Sequence, residues 1–280
     1  MASLILVTGG TGTLGRLVVP KLRDARREVR VLSRRGSEAR FVQDEEVEFI
    51  TGDLSTGTGV EAAVNGAEII VHCAGTAKGD EDKAQRLVRA ASAAGTRHLV
   101  FISVVGADKI PVESLVDRAM FGYFASKGAA ERVVAGSAVP WTTLRATQFH
   151  DLTLMTVRQM AKLPVIPVPA GFRFQPIDTE VVASRLVELA LGSPAGLVPD
   201  LAGPRVYGMG ELLRGYLRAS GKHRPTVGIR LPGKAARAIR AGANLAPDRA
   251  DGGLTWEEFL AARVGSRRRS GSADRSQRTA

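Results

Sequence analysis

Three glycines at three-residue spacing, Gly9, Gly12 and Gly15, follow an apolar run at residues 4–7 and precede the apolar positions Leu17, Val18 and Leu22. That order reads as a buried parallel strand, a tight turn and a helix start. A helix start exposes unpaired N–H groups and the positive end of its dipole, so it attracts anions. Glycine in the turn removes the β-carbons that would hold a diphosphate at a distance. The segment containing Gly9, Thr11, Gly12, Thr13, Leu14 and Gly15 is therefore the expected cradle of a dinucleotide.

The pattern then repeats. Short apolar runs at residues 29–32, 47–51, 69–74, 99–103 and 142–145 alternate with helical stretches. Alternation of this kind gives an α/β fold, a Rossmann-like doubly wound parallel sheet whose ligands sit beyond the carboxyl ends of the strands. The expected organisation is a core over residues 1–150, a small C-terminal lobe over 151–264 intertwined with it, and a disordered basic tail over 265–280. Pro20 falls inside the first helix, where it removes a hydrogen bond, and a kink is expected there.

The residues just past each strand are the candidate ligands. After the second strand comes Ser33-Arg34-Arg35-Gly36, with no acid anywhere in residues 29–37. An NAD site of this kind needs an acid there for the ribose hydroxyls, whereas a guanidinium pairs with a 2′-phosphate, so NADP is expected over NAD. Arg34 is the better candidate because it is nearer the strand; both arginines are alternatively plain loop charges. Asp53, followed by Leu54, is placed either to accept from the adenine amino group or to serve as a turn or N-cap residue. Ala74, Gly75 and Thr76 offer small side chains along the cofactor path, and Cys73, in an apolar run, is expected in the core.

Tyr123 and Lys127 stand four apart before an alanine-rich helical stretch at residues 128–134, so phenol and ammonium share one helical face. An ammonium near a phenol favours the phenolate, which equips the tyrosine to exchange a proton at a carbonyl or hydroxyl.

Together the glycine turn, Gly52-Asp53-Leu54, Phe101-Ile102-Ser103, the Tyr123/Lys127 pair and the stretch Pro-Trp-Thr-Thr-Leu-Arg-Ala-Thr-Gln-Phe-His at 140–150 resemble the atypical short-chain dehydrogenase/reductases, and within these the NmrA-like NAD(P)-binding group. The resemblance runs from about residue 4 to about residue 263 and includes Phe174-Gln175-Pro176-Ile177-Asp178 and Gly203-Pro204. It implies a Rossmann core with a lobe covering a substrate pocket, and hydride transfer to or from a small carbonyl or alcohol. Ser103 would hold the substrate oxygen, and Thr147 and Phe149 would pass near the nicotinamide. His150 is either a proton donor there or a structural residue. The group also contains members that bind NADP without turnover, as sensors or scaffolds; the presence of both Tyr123 and Lys127 favours the enzyme.

Composition narrows the remainder. The net charge of +11 is spread as scattered arginine, without interleaved aromatics, so no nucleic-acid partner is expected. No apolar run approaches membrane-spanning length and no leader pattern opens the chain, so a cytoplasmic protein without a membrane partner is expected. A single cysteine and four scattered histidines supply no metal-ligand spacing; His72 and His98 are expected to pack in or beside strands. In the lobe, a proline-rich loop at 163–170 reads as a pocket wall, Asp178 as an N-cap, and stretches 212–217, 235–243 and 255–262 as helices, the last opened by the capping box Thr255–Glu258. The substrate is a small molecule, and a homodimer is allowed without being marked by any apolar helix pair.

Overall fold

The computed structural model describes residues 3–35, 46–75, 79–250 and 252–265. Seven strands form one sheet: β1 (Leu4–Thr8), β2 (Glu28–Ser33), β3 (Val47–Thr51), β4 (Ile69–His72), β5 (His98–Val104), β6 (Trp141–Ala146) and β9 (Gly196–Leu197). They lie in the order β3-β2-β1-β4-β5-β6-β9, and every pairing is parallel. Strands β4 and β5 are buried on both faces, as expected of a parallel sheet covered by helices.

One face is covered by α1 (Gly15–Asp24) and α6 (Thr179–Leu191), whose Val18, Leu22, Val182 and Leu186 pack with Ile5, Val7 and Val100. The other is covered by α2 (Val60–Val64), α3 (Asp80–Ala93) and α4 (Leu115–Ala135), through Val64, Leu87 and Ala130 against Leu6, Ile70 and Phe101. Thus α6 and β9, from the second half of the chain, complete the core that the first half begins. Asp178 caps α6, its Oδ1 accepting from the Glu180 amide at 3.0 Å. Helix α1 runs unbroken through Pro20, which sits on its exposed side.

A second apolar cluster joins Phe121 of α4 to the lobe: α5 (His150–Met160), β7 (Ile166–Pro169), α7 (Met209–Ser220), α8 (Lys234–Arg240) and α9 (Trp256–Leu260). Two short ladders trim it, β7 with β11 (Thr226–Ile229) in parallel, and β8 (Arg173–Phe174) with β10 (Tyr207–Gly208) antiparallel. Half of the proline-rich stretch 163–170 is a strand of the lobe, Ile166–Pro169, because Pro167 and Pro169 sit in a two-stranded ladder that asks little of their missing amides; the flanking residues are loop as expected. Thr255 caps α9 in a full capping box, and the buried Trp256 donates from Nε1 to the Leu212 carbonyl at 3.0 Å.

Helix α4 starts well before the alanine-rich stretch that announces it. Its true start is the capping box of Ser114 with Asp117.

Three buried histidines tie this framework to pH. His72 is hydrogen-bonded to Thr8 Oγ1 at 2.5 Å, and burial pushes its pKa from 6.5 down to about 3. His98, bonded to Thr142 Oγ1, and His150 shift in the same direction for the same reason. The folded imidazoles stay neutral where the unfolded ones take protons. Stability is therefore full above the unfolded pKa near 6.5 and falls as pH drops toward about 3, by about 1.4 kcal/mol per pH unit for each fully affected histidine. Denaturant unfolding between pH 7 and 4.5 should show that slope, and His72→Gln should reduce it by about one proton.

Candidate active site

The turn after β1 packs so tightly that side chains are excluded at Gly9 and Gly15. Gly9 has φ +71°, and a β-carbon there would lie 2.7 Å from the Ala74 amide nitrogen; one on Gly15 would lie 2.2 Å from the Gly9 carbonyl oxygen. Gly15 thus seats the helix under the turn and does not itself face the cavity, while α1 begins without a side-chain cap. The turn opens onto a cavity of about 440 Å³ that crosses the carboxyl ends of β1 to β6.

Most of the expected ligands meet on its wall. Gly9, Thr11, Gly12, Thr13 and Leu14 line it from the turn; Ser33, Arg34, Asp53 and Leu54 from past β2 and β3; Ala74 and Gly75 from past β4. Ser103, Tyr123, Lys127, Thr147 and Phe149 complete the far side. Arg35 stands outside that wall, its amide donating to Ser33 Oγ at 3.3 Å, which leaves Arg34 as the guanidinium that faces the cavity. Thr76 lies outside the described residues. Asp53 does act as a turn residue, its Oδ1 accepting from the Ser55 amide at 2.8 Å, and this bond holds its carboxyl below the usual range. It nevertheless lies on the cavity wall.

The far end of the cavity is built around a buried ion pair that the sequence did not announce. Lys127 Nζ lies 3.3 Å from Asp80 Oδ2, donates to the Ile102 carbonyl at 3.2 Å and rests 4.9 Å from the centre of the Phe101 ring. Asp80 opens α3, where its amide donates to Ser126 Oγ, and it also pairs with Lys83 at 3.5 Å. Both Asp80 and Lys127 are at most 2% exposed. A β-carbon on Gly75 would lie 2.8 Å from Lys127 Nζ, so this glycine lets the loop close over the pair. Burial lowers the Lys127 pKa, and Asp80 opposes that shift.

Tyr123 departs from its expected state. Burial first, and then the Asp80 charge, push its pKa up to about 12, so the group on the cavity wall is a neutral phenol and not a phenolate. Burial likewise pushes the Cys73 thiol up to about 12; this half-buried residue packs against the core as expected and also lines the cavity. Ser103 Oγ is buried without a hydrogen-bond partner among the described residues. Gln148 lines the same wall, and both atoms of its carboxamide are buried and unpartnered among the described residues.

His150 is structural. Its ring stacks on Phe259 at 4.8 Å and on Trp256 at 5.8 Å, and Nε2 donates to the Leu254 carbonyl, which fastens α9 to the start of α5. No group of His, Cys, Asp and Glu among the described residues could hold a metal ion.

Fold and cavity together define a dinucleotide-binding α/β protein of the Rossmann type. Residues 9–171 match the NAD(P)H-binding family, and the chain belongs to it. It is similar to a ceramide reductase of Caulobacter vibrioides, 31% identical over 245 residues that cover 82% of this chain and 74% of the relative. It is also similar to a (4-alkanoyl-5-oxo-2,5-dihydrofuran-3-yl)methyl phosphate reductase of Streptomyces griseus, 33% identical over 151 residues, 54% of this chain and 50% of that protein. The structure of an NADPH-dependent quinone oxidoreductase from Escherichia coli in complex with NADPH shares the fold, with a TM-score of 0.75 over 92% of this chain and 99% of that one at 17% identity.

Proposed function

We propose that the chain is an NADPH-dependent reductase that delivers hydride to a small carbonyl compound and a proton from Tyr123. The observation that carries this reading is the meeting of the neutral Tyr123 phenol, the unpaired Ser103 hydroxyl and the buried Lys127 on one cavity that continues to the glycine turn. NADPH supplies the hydride when bound. The glycine turn and the uncapped start of α1 fit its diphosphate, and the exposed Arg34 side chain fits its 2′-phosphate. Asp53 fits the adenine amino group, and Thr147 and Phe149 fit the nicotinamide end.

At the carbonyl, Ser103 donates to the oxygen and Tyr123 gives up its proton to it as the C=O π bond breaks. The phenolate that remains shares its cavity wall with Lys127, four residues further along α4, and recovers a proton from solvent. A phenol with a pKa of about 12 arrives protonated at neutral pH, which suits reduction. Residues 151–264 contribute the lobe that closes the substrate end, with Leu152 on its wall. A sensor without turnover would have no use for a proton donor held in this way. Among the described residues no helix is long and apolar enough to cross a membrane.

The cofactor assignment has a direct check. Arg34→Ala should weaken NADP binding by about 10- to 100-fold, the loss of charge-assisted hydrogen bonds, and leave NAD binding unchanged. Calorimetric titration with both nucleotides reads it, and equal losses for the two would remove Arg34 from the 2′-phosphate.

A further inference from the structure

The charged side chains on the cavity wall are Arg34, Asp53, Lys83 and Lys127, all on or before α4. The wall built after β6 and by α5 is uncharged: Thr147, Gln148, Phe149 and Leu152. Within it, Gln148 presents a donor and an acceptor, both buried and unpartnered, and Ser103 at the end of the neighbouring strand β5 presents an unpartnered hydroxyl. Buried polar groups in that state call for a ligand that answers them.

Outside the cavity, apolar side chains continue along the same helix faces. Spacings of four, three and four put Val116, Met120, Tyr123 and Lys127 on one stripe of α4. The inner pair lines the cavity, and the outer pair, Val116 and Met120, is 59% and 49% exposed. Helix α5 repeats the arrangement: Leu152 lines the cavity while 42% exposed, and Met155, three residues on, is 55% exposed. Both helices feed one apolar cluster of the lobe, Phe121 and Phe124 from α4 and Leu154 and Val157 from α5, and Tyr123 and Leu152 line one cavity, so each stripe runs outward from that cavity. Exposed apolar side chains that continue outward from a cavity mark a binding site.

Building on the reductase reading, we propose that the substrate is a neutral amphiphile. Its carbonyl head, bearing an adjacent hydroxyl or amide, engages Ser103 and Gln148, and its unbranched apolar chain lies outward across Met120 and Met155. A bare methyl ketone answers the Ser103 hydroxyl but leaves Gln148 half-paired; a hydroxyketone answers both.

The test uses the full chain loaded with NADPH, whose binding is first titrated by its own fluorescence. Two series are compared for kcat/KM, 2-alkanones and 1-hydroxy-2-alkanones of four to ten carbons. The expected result is a rise of about tenfold or more with chain length, since each methylene that leaves water adds affinity. The hydroxyketones should exceed the plain ketones by about tenfold. The Met120→Glu/Met155→Glu variant should flatten the length dependence. Gln148→Leu should abolish the preference for hydroxyketones through KM and keep the length dependence. Failure to bind NADPH would overturn the reductase reading itself. NADPH binding with a flat chain-length profile, or with no compound turned over or perturbing the NADPH fluorescence, would overturn the amphiphile alone. So would light scattering that shows a wild-type dimer broken by the double variant together with a flat profile, because a second copy would then cover the patch.

Discussion

Tyr123→Phe should lower kcat by about 10²- to 10⁴-fold, the range lost with a positioned general acid, and leave NADPH binding intact. The substitution removes one oxygen from the cavity wall and keeps the ring that packs edge-on against Phe124, with ring centres 6.1 Å apart. Folding is therefore preserved, and the loss falls on the proton. Steady-state kinetics in the reductive direction, with NADPH affinity titrated separately, checks the split. The pH profile gives a second reading. The active acid is the protonated form, which persists until pH approaches about 12, so Tyr123 contributes no basic limb between pH 6 and 9. A limb in that range abolished by Tyr123→Phe would mean that the phenol ionises there and that Lys127 is not balanced by Asp80.

The second large effect is expected at Asp80. Asp80→Asn keeps the shape of the side chain and removes its charge, which strands the Lys127 ammonium in a site at most 2% exposed. Removal of one partner from a buried ion pair costs about 3–5 kcal/mol. Part of that loss should return in Asp80→Asn/Lys127→Met, because an apolar side chain carries no charge to be desolvated. Denaturant unfolding of the two single variants and the double variant measures the coupling. Additive losses would mean that Asp80 and Lys127 stabilise the fold separately.

The sequence announced the parts of this site that are local. Gly9 and Gly15 are needed for backbone clearances between residues close in the chain, and Tyr123 and Lys127 share a face through helical geometry alone. Asp80 could not be found in that way. It stands 47 positions before Lys127, and the two meet because α3 packs on α4, a tertiary fact with no local periodicity. Gln148 was within a stretch expected near the cofactor, yet nothing in residue type says that its amide ends up buried and unpaired. Two further features are local: the Ser114–Asp117 capping box, which starts α4, and the apolar run Ile166–Pro169, a ladder strand that its prolines disguise as loop. The two-residue strand β9 is too short to carry any pattern.

The return of β9 and α6 to the first half of the sheet bears on how the chain is made. Strand β6 gains its outer neighbour, and α1 its packing partner, only after some fifty further residues have been synthesised past the end of β6. An amino-terminal fragment halted near residue 150 would show a bare apolar flank to the ribosome exit and to its own kind. The nucleotide cradle, encoded at residues 9–15, would gain the support of α6 behind α1 only once residues 179–191 have been made.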